Sequence, residues 1–362
     1  MKKILCLLLC IVMTATLFAS CDSPEKNQGE QGNTAGNTEA ATAEPTPEPT
    51  PVPDDETIAR LGLENVGREV KDSAIDVMKK DDDSVIIYVK DYGAVGDGVT
   101  NDQRAISKAI NALKKAPNGS TLEFEANTEY YCGSSGSAIT LGGLQNRIIK
   151  GNNTTILIDA PAQYLSMTNC KNIVLQGFNY NYKKKPYAFT VSVDDVDTKK
   201  MTATVTLDRS LDISRNYSAP HGEFFGVVNR DDGRYHMGIS SISVVDADKN
   251  QYKITFNSVF SDIKDRLEFI KTDGLIVPMP NVGHCVEQAF TVMQNTNITL
   301  KDSNVWSACK FMFFLKLNED KVLFENFNVV PDPAENGGNI RIVGWRDGFH
   351  CKENRAQLIW KD

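Results

Sequence analysis

Carboxylate, guanidinium, indole and imidazole groups crowd one stretch of the chain, RIVGWRDGFH at 341 to 350. A carboxyl such as Asp347 can hold or release a proton for a reacting bond, although Asp-Gly is also an ordinary turn ahead of a strand. Trp345, and Trp306 further up the chain, offer flat apolar faces that could cover the C–H side of a pyranose ring; packing inside the fold is the alternative for both. Arg341 and Arg346 could hold sugar hydroxyls or pair with Asp332 and Glu335 on the same segment. His350 lies three residues after Asp347, so strict strand alternation puts the two on opposite faces unless Gly348 breaks the strand. A partly buried, hydrogen-bonded imidazole is its expected role.

The remaining candidates point away from metals and cofactors. His221, His236 and His284 are scattered without metal spacing, and the acidic pairs Asp194-Asp195 and Asp231-Asp232 lack EF-hand spacing, which favours turn and edge roles over calcium. No Gly-Lys-Ser/Thr follows the glycine-rich loop near residue 96, so no phosphate cradle and no cofactor is expected. Cys132, Cys170, Cys285, Cys309 and Cys351 are spread without C-x-x-C and read as small buried apolar residues; one disulfide stays open.

The chain has 362 residues, 41% apolar and 24% charged, with a formal charge of −8. Its start, MKKILCLLLCIVMTATLFASC, has two lysines, an apolar run and small residues before Cys21, a secretory pattern too short to read first as a spanning helix. It resembles a bacterial lipoprotein signal over residues 1–21, with a lipid on Cys21, and this implies an outward-facing, membrane-tethered protein; plain secretion is the alternative. Without Lys2 and Lys3 the balance is 37 basic against 47 acidic side chains, about −10, which leaves no basic stripe for nucleic acid. Residues 22–57, closing on EPTPEPTPVPDD, bury almost nothing and form a stiffened spacer.

Elements able to position the candidate groups begin after a lead-in at 58–84, where a helix is expected around 72–80. Val85 to Val89 is strand-like, and Thr100 with Gln103 has capping-box spacing, so a helix is expected over about 101–115 with Thr100 and Asp102 satisfying its first N–H groups. Ala105, Ile106, Ala109, Ile110 and Leu113 form one stripe at helical period, ended by Pro117-Asn118-Gly119 before a strand at Thr121 to Phe124. A phrase then repeats: NRIIKGNNTTI, KNIVLQGFNYN, TNITLKDSNVW and DKVLFENFNVV, with Ile148, Ile173, Ile298 and Val322 aligned at steps of 25, 125 and 24 residues. Periods near 24 with strand alternation are the coils of a solenoid, and asparagine at each corner suits a sharp bend. The step of 125 contains alternating, hairpin-like sequence, which places an inserted antiparallel β domain at 183–282 between coils at 85–182 and coils at 283–362. The segment at about 331 to 345 lengthens one coil.

The stretch VKDYGAVGDGVTNDQRAISKAI resembles the opening motif of the pectate-lyase superfamily of right-handed parallel β-helices, with Asn101 where a second aspartate is common. The resemblance implies an all-β solenoid whose helix plugs the open end of the core. From about Leu165 onward the order of motifs, through NVVPDP and RDGFHCKENRAQLIWKD, is similar to glycoside hydrolase family 110, exo-acting α-galactosidases on a β-helix with an inserted β domain. That second resemblance maps an active-site aspartate onto Asp347 and an adjacent aspartate pair about one coil later, beyond Asp362. The expectation is therefore a C-terminally truncated chain, inactive as a hydrolase, whose partner is a polysaccharide or oligosaccharide. A polysaccharide lyase on the same scaffold and a non-catalytic glycan-binding or adhesive solenoid are the competing readings.

Overall fold

The computed structural model describes residues 73–159, 162–185, 187–211, 213, 225–230, 233–258, 260–278, 288–308, 311–332, 334 and 348–361. The secretory segment, Cys21, the spacer and the start of the lead-in lie outside them. All described residues belong to one unit, Ala59–Asp362.

Strands β1 (Ile86–Tyr88) and β2 (Asp97–Asn101) precede helix α1 (Gln103–Lys115), and then come β3 (Thr121–Glu123), β4 (Glu129–Tyr131), β5 (Ser137–Gly142), β6 (Gln145–Ile158), β7 (Gln163–Thr168) and β8 (Lys171–Tyr182). A second group follows: β9 (Tyr187–Asp197), β10 (Thr202–Leu207), β11 (Phe225–Arg230), β12 (Gly233–Asp246), β13 (Gln251–Phe256), helix α2 (Ile263–Asp273) and β14 (Ile276–Pro278). The chain closes on β15 (Gln288–Met293), β16 (Thr296–Val305), β17 (Phe311–Lys316), β18 (Glu319–Val329), β19 (Phe349–Lys352) and β20 (Gln357–Lys361).

The fold is a parallel β-helix. One sheet runs β1-β3-β6-β8-β16-β18-β20, with β2 and β4 beside β6, and a second runs β5-β7-β15-β17-β19. Every pairing in both is parallel. The chain alternates between them, so each coil is one short strand of the second sheet and one long strand of the first. Strands β9 to β14 instead pair antiparallel into a closed barrel between β8 and β15.

The corners explain why the chain coils. Connections from the second sheet to the first are only two residues long up to β18, and their first residues, Gly143, Asn169, Gln294 and Leu317, all have left-handed φ of 53–66°. The residue that follows is buried, and there asparagine amides repeat from coil to coil: Asn295 Nδ2 donates to Asn318 Oδ1 at 3.0 Å and Asn318 Nδ2 to Asn354 Oδ1 at 3.0 Å. A second ladder links Asn118, Asn146, Asn172 and Asn297 at 2.9–3.1 Å. Each amide satisfies a neighbour one strand spacing away, which an apolar residue at a bend could not do.

Inside, side chains stack in columns. Ile139, Leu165, Phe290, Phe313 and Phe349 are register partners in turn, as are Ile149, Leu175, Leu300, Phe324 and Trp360. Rings pack face to face along the first, with Phe290 and Phe313 centroids 4.8 Å apart and Phe313 and Phe349 5.0 Å apart. Of the four residues aligned from sequence, Ile173, Ile298 and Val322 share a column, but Ile148 does not: Arg147 pairs with Ile173 and Ile148 with Val174. Arg147 ends the column, where its buried guanidinium donates to Leu113 O at 3.0 Å and to Ala116 O, tying down the last turn of α1.

Three further expectations change. Asp102 does not cap α1; its carboxylate accepts from Val95 N at 2.8 Å and Gly96 N at 3.0 Å, while the Thr100 hydroxyl donates to Asp97 and Gln103 N to Asn101 Oδ1. The loop before the helix, with glycines at left-handed φ, claims those acceptors first. Residues 73–80 hold a turn rather than a helix, because their amides are spent on the coils: Ala74 N on Thr299 Oγ1 at 3.0 Å and Lys79 N on Asn146 Oδ1 at 3.1 Å. The barrel region is not all β, since α2 forms over a stripe of buried Ile263, Leu267 and Ile270, with Arg266 reaching back to Asp262 at 2.7 Å.

Candidate functional site

Excursions from the coil share one place. The corners after β5, β7, β15 and β17 are two residues long, whereas the connections from long strands back to the second sheet range from residues 159–162 and 306–310 to residues 330–348 and the whole barrel. Two long insertions, the barrel after β8 and residues 330–348 after β18, therefore enter at the edge from which the chain passes to β15 and β19.

The outward face of the second sheet is polar at one end and aromatic at the other. The hydroxyls of Ser137 and Thr291 both donate to Gln163 Oε1, at 3.2 and 3.3 Å, and Gln288 Nε2 donates to Thr291 Oγ1 at 3.1 Å. The next coils carry Phe311, Phe314 and His350, with the imidazole centroid 4.9 Å from Phe311 and 5.7 Å from Phe314. His350 is half-buried and held by ring packing, in place of the hydrogen-bonded role expected from sequence. Amide and hydroxyl groups that donate and accept in pairs are suited to sugar hydroxyls.

Beneath the edge lies a buried ionic cluster that the sequence reading did not single out. Lys185 Nζ and Asp332 Oδ2 are 2.7 Å apart with side chains only 8% and 7% exposed. Asn181 Nδ2 also donates to Asp332 Oδ2 at 2.7 Å, and Asn181 Oδ1 accepts from Lys185 Nζ and, at 3.0 Å, from Ser307 Oγ. Ala334 N completes the shell on Asp332 Oδ1 at 2.9 Å. Burial pushes the Asp332 carboxyl up, but the Lys185 ammonium, the Asn181 amide and Ala334 N–H outweigh it and hold it below the ordinary carboxylate range. Asp332 is thus the partner of Lys185, where Arg341 and Arg346 had been the expected alternatives. The signal was available in the lysine run 183–185 ending one coil phrase and in Asp332 standing between two prolines after another.

A second cluster stands beside it. Tyr131 OH donates to Asp159 Oδ2 at 2.9 Å, Lys184 N donates to Asp159 Oδ1 at 3.0 Å, and Lys183 Nζ sits 4.1 Å from the centroid of the Tyr131 ring.

Among the candidates from sequence, the structure brings His350 to the outward face and Trp306 to the edge, half-buried, its backbone N donating to Tyr180 O at 3.0 Å. Asp347, Trp345, Arg346, Arg341, Glu335, His221, His284, Asp231, Asp232, Cys285 and Cys309 lie outside the described residues. Asp194 accepts from Ser192, Thr206 and Gln251 side chains on the barrel wall, and His236 also sits in the barrel, on β12. Cys132 and Cys170 are buried as expected, whereas Cys351 is exposed because it lies on the last described strand of its sheet. Among the described residues no group of His, Cys, Asp and Glu could hold a metal ion, and no helix is long and apolar enough to cross a membrane.

No family model matches the sequence. Over 66 residues, 18% of this chain, it is 36% identical to plasmin and fibronectin-binding protein A of Streptococcus pneumoniae, of which the match spans 9%. Among solved structures, a candidate glycosyl hydrolase from Parabacteroides merdae is similar with a TM-score of 0.35 at 12% identity, over 76% of this chain and 93% of that one. The Streptococcus pneumoniae surface adhesin PfbA gives 0.28 at 12% over 74% of this chain and 49% of its own. A family 28 exopolygalacturonase from Yersinia enterocolitica gives 0.24 at 12% over 77% and 50%.

Proposed function

We propose that the outward face of the five-stranded sheet binds a carbohydrate and that the protein is an exported glycoside hydrolase, tethered through a lipid on Cys21, that removes terminal α-linked galactose. The observation that carries the carbohydrate reading is the outward face itself, where Gln163, Gln288 and Thr291 share hydrogen bonds beside the aromatic group of Phe311, Phe314 and His350. The galactoside and the lipid rest on the sequence resemblances. Asp347, which precedes Gly348 in the sequence, is the residue this reading assigns as one of the two carboxyls that acetal hydrolysis needs.

Purified protein should be retarded in native gels containing galactomannan, and Gln288→Ala and His350→Ala should weaken the retardation. Nitrophenol release from p-nitrophenyl α-galactoside that Asp347→Asn leaves unchanged would overturn the role of Asp347. Unchanged migration in galactomannan, polygalacturonate and carrageenan gels alike would overturn the carbohydrate reading itself. The second reading, an adhesive solenoid, is favoured by the 66-residue likeness to a plasmin- and fibronectin-binding protein. Saturable binding to immobilised fibronectin with no polysaccharide retardation would select it.

A further inference from the structure

Lys185 and Asp332 are 147 residues apart in sequence, yet each stands at the root of a different insertion. Lys185 lies two residues before β9, where the chain enters the barrel, and Asp332 lies three residues after β18, where the chain leaves the coil for the segment that carries Asp347. Between them the network crosses successive coils: Asn181 ends β8, Ser307 follows β16, and the Ser307 carbonyl accepts from Tyr164 OH of β7 at 2.7 Å. Two well-packed apolar side chains of similar volume would close this space without the cost of desolvating two charges. A directional, fully hydrogen-bonded ion pair instead admits one arrangement of its partners, since any shift leaves a buried charge unpaired.

We propose that Lys185 and Asp332 form a positioning pair that fixes the root of the barrel to the corner after β18, so that these two roots keep one mutual placement. The consequence for ligand binding rests on the carbohydrate reading above; the coupling of the two roots does not.

Hydrogen–deuterium exchange of the full chain tests the coupling. In Asp332→Asn and in Lys185→Met, peptides covering 183–190 and 329–334 should exchange about tenfold faster together, while peptides from β6 and from the first half of β8 keep wild-type rates. The paired variant Lys185→Met/Asp332→Leu, which removes both charges of the pair together, should restore the melting temperature relative to the single variants but leave both roots fast, and it supplies the measurement if a single variant does not fold. Faster exchange at one root alone, a uniform rise across all peptides, or wild-type rates in the paired variant would each overturn the proposal. Galactomannan retardation of the same variants is the functional arm, with a tenfold weaker apparent affinity expected in the paired variant and wild-type affinity with both roots fast counting against a role in binding. If wild-type protein shows no retardation in galactomannan, polygalacturonate or carrageenan gels, the carbohydrate reading falls and the exchange pattern still decides the pair.

Discussion

Phe313→Ala and Phe349→Ala remove the same ring from adjacent positions of one column, so their difference isolates what burial contributes. Phe313 is fully buried, stacked at 4.8 Å on Phe290 and 5.0 Å on Phe349, with the edges of Phe324 and Phe327 at 4.9 and 5.6 Å. Truncating such a ring costs about 3–5 kcal/mol, the lost transfer energy plus the cavity left behind. Phe349 is 39% exposed and stands at the end of the column, so only part of a transfer energy of about 1.5–3 kcal/mol is lost and no closed cavity forms, giving about 1–2 kcal/mol. With a urea slope of about 3 kcal/mol/M, these become midpoint shifts of about 1–1.7 M and 0.3–0.7 M. Because coils touch only their neighbours, Phe313→Ala should also release β17 to β20 ahead of β5 to β8, visible as a separate early loss of amide protection. Equal midpoint shifts for the two variants would refute the reasoning, since they would mean that Phe349 is covered as fully as Phe313.

Gly151→Ala should destabilise the protein by about 1–3 kcal/mol in the same urea assay, because a Cβ there would stand 2.4 Å from the Gly177 carbonyl oxygen and 2.7 Å from the Phe178 ring, forcing two coils apart. The Asp332 pair gives stability its own pH signature. A depressed folded-state pKa contributes stability that is complete above the ordinary value of about 3.9 and is lost as pH falls through the lower folded value, so melting temperatures should be insensitive to this group between pH 5 and 8. In Lys185→Met the ammonium no longer offsets burial, so the depression shrinks and melting temperature should fall less steeply on acidification below about pH 4 than in wild type. Iodoacetamide should label Cys351 and spare Cys132 and Cys170 in peptide maps of the folded protein, because the latter thiols are buried and burial holds their protons on.

Coiling was legible because it is periodic. A bend every coil demands left-handed backbone and a side chain that can satisfy its neighbours, and asparagine supplies both, so Asn146, Asn172 and Asn297 mark the same corner in the sequence and in space. Features that occur once were not. Ile148 was aligned with Ile173 by its letter, yet Arg147 holds that register position, because the first coil of the column must also satisfy the carbonyls ending α1 and only a long donor reaches them. Asp102 sits where a cap belongs and was claimed by a nearer loop.

The candidate site was less legible. His350 meets Phe314 because β19 takes its register from β17, a pairing the sequence did not disclose, since residues 341–350 are not part of the repeated phrase. Lys185 and Asp332 were equally hidden, because no local pattern joins residues separated by a whole barrel; only the stacking of coils brings their roots to one edge. A solenoid tolerates insertions where no repeated contact is broken, and here asparagine amides are committed to ladders both at the corner after the second sheet and within the long strands. The edge before the second sheet, which carries no such ladder among the described residues, is where the barrel enters. Each insertion there must be anchored by interactions the repeat does not provide, and a buried ion pair is such an anchor.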